Sequence, residues 1–176
     1  MNTYISLLRA VNMAGHNRMK MDILKKMYEN LGLQNVKTYL QSGNVIFQTE
    51  ETSEKTLEYL ISAKLQETFG FYVDVIVLKR SDLQEIIANN PFVEKDEKYQ
   101  FVTIVSEMPE NADIEKIKNK CAENEDFKIL GQTVYFHLPN GYSNSKLNNT
   151  LVEKVFKVKA TSRTIKTLKA LAKQDE

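Results

Sequence analysis

Over the first eighty residues, the spacing of hydrophobic positions alternates between that of a strand and that of a helix. Strands are predicted where short apolar or alternating runs occur, and helices where apolar residues recur every three or four positions. The tripeptide Ser42-Gly43-Asn44 is typical of a hairpin turn, and Ser53 can cap a helix. The predicted order is β-α-β-β-α-β, with strands at Thr3–Arg9, Val36–Leu40, Val45–Gln48 and Tyr72–Lys79 and helices at Ile23–Leu31 and Leu57–Phe69.

The same order of elements begins again after a short helix and a charged linker. A capping box at Ser81–Gln84 predicts the start of that helix, and the run Glu94–Lys98 predicts the linker. The second half is then predicted as β-α-β-β-α, with a short strand near Val158 and a last helix starting at Arg163. Its other elements are predicted at Phe101–Val105, Asn111–Ala122, Phe127–Leu130, Val134–Leu138 and Leu147–Val155.

These two passes predict an α+β protein that is a tandem duplication of ferredoxin-like (βαββαβ) units. In such a unit an antiparallel sheet has helices packed on it, and strand three lies between strands one and two. We predict a first half over residues 1–80, a helix and charged linker over 81–97, and a second half with an extra C-terminal helix over 98–176. The first strand is expected to be central in its sheet.

Composition excludes several classes of protein. Hydrophobic residues make up 42% and charged residues 27%, which is ordinary for a folded domain. The net charge of +1 argues against nucleic acid as a partner, although basic residues outnumber acidic ones from Lys146 to Lys173. The sequence shows no signal peptide and no membrane-length apolar stretch, so no membrane is expected and the predicted location is the cytoplasm.

The sequence also lacks the residue clusters that bind metals or common cofactors. Cys121 has no second thiol, and its spacing with Ile114 and Ile117 predicts a buried position on a helix. No His, Cys, Asp and Glu cluster has metal-ligand spacing, and neither a P-loop nor a dinucleotide fingerprint is present. We therefore predict no metal and no cofactor.

One edge of the first sheet is predicted to gather polar residues. The end of strand one lies beside the start of strand three in this fold, which brings together Arg9, Asn12, Gln41, Ser42, Gly43 and Asn44. A guanidinium, carboxamides and a glycine-opened backbone suit an anion or a polar planar ligand. The alternative is a hairpin turn whose polar side chains satisfy their own loop. The matching edge of the second half has Ser106, Glu107 and Gly131-Gln132, without an arginine.

The predicted starts of the last two helices are weaker candidates for anion binding. Free amides and the helix dipole attract anions at such places, although capping alone would also explain the hydroxyls. The residues concerned are Ser145 and Lys146 at one helix and Thr161, Ser162 and Arg163 at the other.

The segment from Tyr4 to Phe47 resembles the opening of the bacterial domain of unknown function (DUF) 1697 family. That family typically has a Leu-Leu-Arg-Gly-Ile-Asn-Val-Gly-Gly opening and a Thr-Tyr-hydrophobic-Gln-Ser-Gly-Asn-Val hairpin. Its later Ser-Lys and Ala-Thr-x-Arg-Asn-Trp-x-Thr motifs are similar to Ser145-Lys146 and Ala160–Thr167 here. The resemblance implies a two-part α+β fold and no particular activity. Ala10 and Ala14 stand where the family usually has glycine, and Thr164-Ile165 replace Asn-Trp.

The function is open at this stage, and whether the chain is an enzyme is left undecided. A binding module for a small anionic or polar ligand at the Arg9–Asn44 edge is the preferred hypothesis. An enzyme that uses the same cleft with His16 as acid or base is one alternative. A protein-interaction module or a weak nucleic-acid binder is another. The oligomeric state and the identity of the ligand are not predicted.

Overall fold

The structure, a computed structural model, describes residues 1–173 and contains eight strands and six α-helices within them. The first four strands and three helices are β1 (Asn2–Leu8), α1 (Met21–Asn30), β2 (Gln34–Tyr39), β3 (Asn44–Thr49), α2 (Glu54–Phe69), β4 (Val75–Lys79) and α3 (Arg80–Ala88). The others are β5 (Gln100–Val105), α4 (Glu115–Lys118), β6 (Asp126–Leu130), β7 (Thr133–His137), α5 (Asn149–Phe156), β8 (Ala160–Thr164) and α6 (Ile165–Lys173). Short 3₁₀ helices lie at Glu97–Tyr99 and Tyr142–Asn144.

The first sheet has the strand order β2-β3-β1-β4, and each neighbouring pair is antiparallel. The prediction that strand one is central is confirmed. In its register with β3, Leu7 lies opposite Asn44, so the end of β1 adjoins the start of β3. The turn before β3 is therefore held beside the loop that follows β1.

The core of the first unit lies between this sheet and helices α1 and α2. Tyr4 stacks on Phe47 with ring centroids 5.8 Å apart, and Tyr28 of α1 meets Phe47 edge-on at 5.7 Å. Ser6 lies on the same face, and its hydroxyl is 2.7 Å from the buried hydroxyl of Tyr28. Ser53 caps α2 as predicted, since its hydroxyl accepts a hydrogen bond from the Thr56 amide.

The second sheet repeats this arrangement with the order β6-β7-β5-β8. The amide of Leu8 donates to the Gly43 carbonyl at 2.9 Å, and in the second sheet the amide of Val105 donates to the Gln132 carbonyl at 2.9 Å. Likewise Arg9 N–H donates to Asp74 and Ser106 N–H to Lys159, each at the carbonyl oxygen. Two α+β units of tandem ferredoxin-like type are thus present, as predicted.

The chain divides into two compact units, Met1–Gln84 with the chain from Leu171, and Glu85–Ala170. The finer division into 1–80, 81–97 and 98–176 stays a prediction. Two local predictions are wrong. Helix α3 begins at Arg80, so Ser81 lies inside it and does not cap it, and the helix predicted over Asn111–Ala122 is only Glu115–Lys118.

Cys121 follows this short helix and is half-buried, so the predicted helical, buried position is only partly correct. Its thiol donates to the Glu125 carbonyl at 3.3 Å. Burial raises the pKa of the thiol, and the charges of Glu125 and Asp126 raise it further. Since the thiolate is the reactive form, a raised pKa makes this cysteine less reactive than an ordinary exposed one.

Candidate functional site

Asn12 joins the loop after β1 to the turn before β3. Its side-chain amide donates to the Gln41 carbonyl at 2.8 Å, and its side-chain oxygen accepts from the Met19 amide at 2.8 Å. Asn12 itself adopts a left-handed conformation with φ of 53°, which asparagine tolerates better than most residues. Its side chain therefore fixes the geometry of the loop from both sides.

Asn44 has a similar role inside the turn, where it is fully buried. Its side-chain amide donates to the Tyr39 carbonyl at 2.7 Å and to the Ser42 hydroxyl at 2.9 Å. Gly43, between Ser42 and Asn44, has φ of 83°, and its carbonyl accepts a hydrogen bond from the Leu8 amide. The hydrogen bonds of Asn12, Ser42 and Asn44 match the alternative in which the polar side chains of the turn satisfy their own loop.

Arg9 and Gln41 lie at the same edge but differ in exposure. Arg9 is half-buried directly after β1, and its backbone N–H donates to the Asp74 carbonyl at 2.9 Å. Gln41 is exposed, and its backbone carbonyl is the acceptor for Asn12. The structure thus brings the predicted edge residues together in space, and a ligand contact by any of them stays a prediction.

A cleft opens next to Asn12, in the loop before α1. It has a volume of about 550 Å³ and is lined by Asn12, Gly15, Arg18, Met19 and Lys20. Arg18 and Lys20 are both exposed, and the guanidinium of Arg18 lies over Gly15, 3.3 Å from where a Cβ would be. Sequence reasoning singled out Asn12 and missed the two cations. The signal was present, because Arg18 and Lys20 are placed two residues apart just before a predicted helix.

The loop that carries these cations has an unusual backbone. Five of its residues have positive φ: Ala10, Asn12, Ala14, Gly15 and Asn17. Alanine in this conformation costs about 1–2 kcal/mol, so Ala10 and Ala14 are strained positions. The hydrogen bonds of Asn12 described above, with that from the Asn12 amide to the Asn17 carbonyl at 3.0 Å, hold the loop in place.

Helix α1 starts at the edge of the cleft. Its first flanking residue, Lys20, makes no side-chain cap, and Asp22 in the first turn accepts the Ile23 amide at 2.9 Å. The amino end of a helix carries a partial positive charge. The electrostatics near Arg18 and Lys20 therefore favour an anion.

Comparison of the sequence with known protein families identifies the family of this chain. Residues 1–135 match the protein-family model described as "Protein of unknown function (DUF1697)". The chain belongs to the DUF1697 family. A solved structure, the conserved bacterial protein SP0830 from Streptococcus pneumoniae, is similar with a TM-score of 0.77 and 20% identity over 99% of each chain. At that identity the similarity shows the fold. No curated protein matches this chain significantly.

The later motif of this DUF1697 protein, Ala160–Thr167, lies beyond the matched residues, and its predicted place at a helix start is wrong. Thr161, Ser162 and Arg163 lie in strand β8, which pairs with β5. Helix α6 begins only at Ile165, where the Thr164 hydroxyl accepts the Thr167 amide at 3.1 Å. The predicted helix amides are therefore not available to an anion at these three residues.

The side chains of that strand are used within the second unit. The Ser162 hydroxyl is 2.6 Å from that of Thr103 and donates to the Asn149 side chain at 2.9 Å. Arg163 donates to the Thr161 hydroxyl at 2.7 Å and to the Ser162 carbonyl at 2.9 Å. Burial lowers the pKa of Arg163 to about 10. The guanidinium is already held by neighbouring groups of its own strand.

The Ser145-Lys146 pair of the DUF1697 motif also precedes its helix and does not open it. Helix α5 begins at Asn149 and is capped by Asn148, whose side chain accepts the Leu151 amide at 2.9 Å. The Ser145 hydroxyl accepts the Leu147 amide at 3.0 Å in a turn, and Lys146 is exposed. The prediction that these two residues start a helix is wrong.

Among residues 1–173 no group of three or more His, Cys, Asp or Glu side chains could hold a metal ion. Within the same residues no helix is long and apolar enough to cross a membrane.

Proposed function

We propose that this DUF1697 protein binds a small anionic ligand, which Arg18 and Lys20 hold in the cleft before α1. The observation that carries the proposal is the position of both cations on the wall of one cleft of about 550 Å³. Small-molecule pockets commonly have volumes of about 300–1,000 Å³. A ligand with phosphate or carboxylate groups suits a wall of this charge.

The chemistry of the cleft supports binding by hydrogen bonds to a charged group. Arginine offers a planar fork of donors that matches a phosphate or carboxylate, and lysine adds a mobile point charge. Gly15 presents no side chain, so the Arg18 guanidinium can lie over it, 3.3 Å from where a Cβ would be. Asn12 contributes indirectly, because its two hydrogen bonds fix the loop that carries both cations.

Catalysis in the same cleft has less support. Its lining residues include no His, Asp, Glu, Cys or Tyr, and His16 is exposed in the same loop and is not among them. Its backbone N–H donates to the Met13 carbonyl at 2.8 Å. We therefore propose a binding protein and not an enzyme.

Recognition of RNA by stacking on an open sheet also has little support. That mode needs exposed aromatic side chains on the two central strands. In the first sheet Ile5, Leu7 and Ile46 are buried on one face of β1 and β3, as are Tyr4 and Phe47 on the other. A cytoplasmic location remains part of the proposal, supported by the single free cysteine, which suits a reducing compartment.

Substituting the two cations tests the proposed function. Wild type is screened by thermal shift with inorganic phosphate, AMP, ATP and citrate, and each binder is titrated by calorimetry. Loss of one charge-assisted contact costs about 1.5–3 kcal/mol, so Arg18→Ala and Lys20→Ala should each weaken binding about tenfold or more. The double variant should show no binding.

Two further variants make the result specific. Lys26→Ala removes an exposed lysine from α1 outside the cleft and should bind like wild type. Arg9→Ala tests the neighbouring edge. If Arg9→Ala weakens binding and Arg18→Ala does not, the ligand binds at the Arg9–Asn44 edge and not in the cleft. Absence of any binding to wild type, or equal affinities in all variants, would contradict both locations.

A further inference from the structure

Strand β6 forms one edge of the second sheet, since the strand order there is β6-β7-β5-β8. It joins β7 through the two-residue turn Gly131-Gln132, with Leu130 opposite Thr133. Gly131 has φ of 59°, as expected at the first central position of a type II′ hairpin. Such a turn is closed by a hydrogen-bonded pair.

This fixes which backbone groups of β6 face outwards. Hydrogen-bonded and non-hydrogen-bonded pairs alternate along an antiparallel ladder. Counting back from Leu130, Lys128 and Asp126 bond to β7, and the N–H and C=O groups of Phe127 and Ile129 point away from the sheet. An independent contact agrees, because the Phe127 amide donates to the carboxylate of Asp126 at 2.8 Å.

The outward edge lies beside an apolar groove of about 470 Å³. Helix α4 has only four residues, against ten in α1, the corresponding helix of the first unit. Phe127 and Ile129 are consequently half-buried, and Ile114 is 39% exposed. These three residues line the groove with Cys121, and Lys118, Asp126 and Lys128 lie at its margin.

We propose that β6 pairs antiparallel with β6 of a second copy of this chain, about a two-fold axis that passes at Phe127. The outward-facing residues have odd numbers, so only odd positions can form the new hydrogen-bonded pairs. The two-fold axis can then pass at Phe127, Lys128 or Ile129. These three registers differ in the charges that they place opposite one another.

Only the axis at Phe127 gives complementary charges. It sets Asp126 opposite the second copy's Lys128, and Lys128 opposite its Asp126, on the exposed face of both strands. An axis at Lys128 would place two lysines directly opposite each other, and an axis at Ile129 would pair Lys128 with Leu130. Opposite charges in cross-strand pairs stabilise a sheet and like charges destabilise it. The edge of β6 is therefore complementary in charge to a second copy of itself, and that complementarity selects the register at Phe127.

The same register suits the groove and predicts a weak association. It sets the two Phe127 side chains opposite each other on the groove side, where apolar surface is available to both. In the monomer the outward amide of Phe127 donates to the carboxylate of Asp126. In the dimer this amide would donate to a carbonyl of the second strand instead, and the carboxylate could then pair with Lys128 of the second copy. This register also places Ile129 opposite Glu125, whose backbone amide and carbonyl are already bonded to Ala122 and Cys121 of its own chain. The new ladder is therefore short, and we expect a dimer that forms only at high concentration.

Charge reversal tests this pairing by sedimentation velocity from about 10 µM to 1 mM, a range in which weak association is measurable. Wild type should move from monomer to dimer. Asp126→Lys and Lys128→Asp should each stay monomeric over this range, because each puts two like-charge pairs in the interface. The double variant Asp126→Lys/Lys128→Asp restores both opposite pairs and should dimerise like wild type.

Controls exclude a general effect of charge or folding. Lys26→Glu, at an exposed position of α1, should dimerise like wild type, and all variants should unfold at similar temperatures. A wild type that stays monomeric at the highest concentration would overturn the proposal. So would a dimer that neither single reversal weakens, since its interface would then lie elsewhere, or a double variant that fails to recover.

Discussion

Replacing Gly43 by alanine is expected to lower the free energy of unfolding by about 2–5 kcal/mol. Two effects add at this position. The backbone has φ of 83°, a conformation that L residues rarely adopt. A Cβ would also lie 2.7 Å from Cγ2 of Val11 and 2.9 Å from Cβ of Leu8, both of them buried residues. The side chains cannot move away without opening the core beneath the turn.

Gly32→Ala provides the matched control for this prediction. Gly32 has a similar φ of 87°, but a Cβ there would meet nothing within 4 Å. Only the backbone cost of about 1–2 kcal/mol should appear. Urea unfolding followed by circular dichroism measures both. Equal losses in the two variants would show that the contact of Gly43 with Val11 and Leu8 is not tight.

Strand order explains why the edge of the first sheet could be predicted from sequence. Once two hydrophobic runs are recognised as strands one and three of a ferredoxin-like unit, topology alone places the end of one beside the start of the other. The rule predicts that the two ends adjoin, and the structure gives the register, with Leu7 opposite Asn44. The central position of β1 is predictable for the same reason.

What each polar side chain does at that edge was beyond the sequence. Asn12 and Asn44 could equally have faced a ligand, and only the three-dimensional structure shows their amides bound to the carbonyls of Gln41 and Tyr39. The cleft at Arg18 and Lys20 was missed for a related reason. The two cations are visible before a predicted helix, but the loop conformation that brings them to one cleft is set by tertiary hydrogen bonds, which leave no periodic pattern in the sequence.

The wrong helix start at Thr161 shows a limit of local signals. Serine and threonine before an apolar periodic run are typical helix caps, but threonine is also favoured in strands. Pairing with β5 decides in favour of the strand, and that pairing joins residues about sixty positions apart. The actual cap, Thr164, is only one residue beyond the predicted group.

The two units share backbone hydrogen bonds at equivalent positions, but their side chains at these positions differ. Arg9 and Ser106 make the same bond from their amides, to Asp74 and Lys159 respectively, although their side chains have nothing in common. Ser6 and Thr103 are both buried hydroxyls at matching places, yet one is bonded to Tyr28 of a helix and the other to Ser162 of a strand. At these positions the backbone bonds are therefore the same in the two units, while the side-chain partners differ.

The hydroxyl pair of Ser6 and Tyr28 should behave as one energetic unit. Both residues are fully buried, and their oxygens are 2.7 Å apart. Ser6→Ala leaves the Tyr28 hydroxyl buried without this partner, at a cost of about 1–3 kcal/mol, and Tyr28→Phe does the same to Ser6. The double variant should lose clearly less than the sum of the two. Strict additivity in urea unfolding would mean that the two hydroxyls do not interact.

Alkaline pH should weaken wild type more than the Tyr28→Phe variant. Burial raises the pKa of Tyr28 far above 10, against a smaller lowering by Ser6. Above about pH 10 the unfolded chain releases a proton that folded Tyr28 keeps, so the contribution of Tyr28 to stability is complete below that pH and falls as pH rises.

Two other groups also change the stability at alkaline pH. Burial and, less strongly, Glu85 raise the pKa of Tyr135 to about 12, which acts in the same direction as Tyr28, whereas the lowered pKa of Arg163 acts oppositely. Both groups remain in the variant, so the difference between the two proteins isolates Tyr28. Urea unfolding at pH 8, 10 and 11 should show a slope steeper by up to about 1.4 kcal/mol per pH unit in wild type. Parallel slopes would mean that Tyr28 ionises as readily in the folded chain as in the unfolded one.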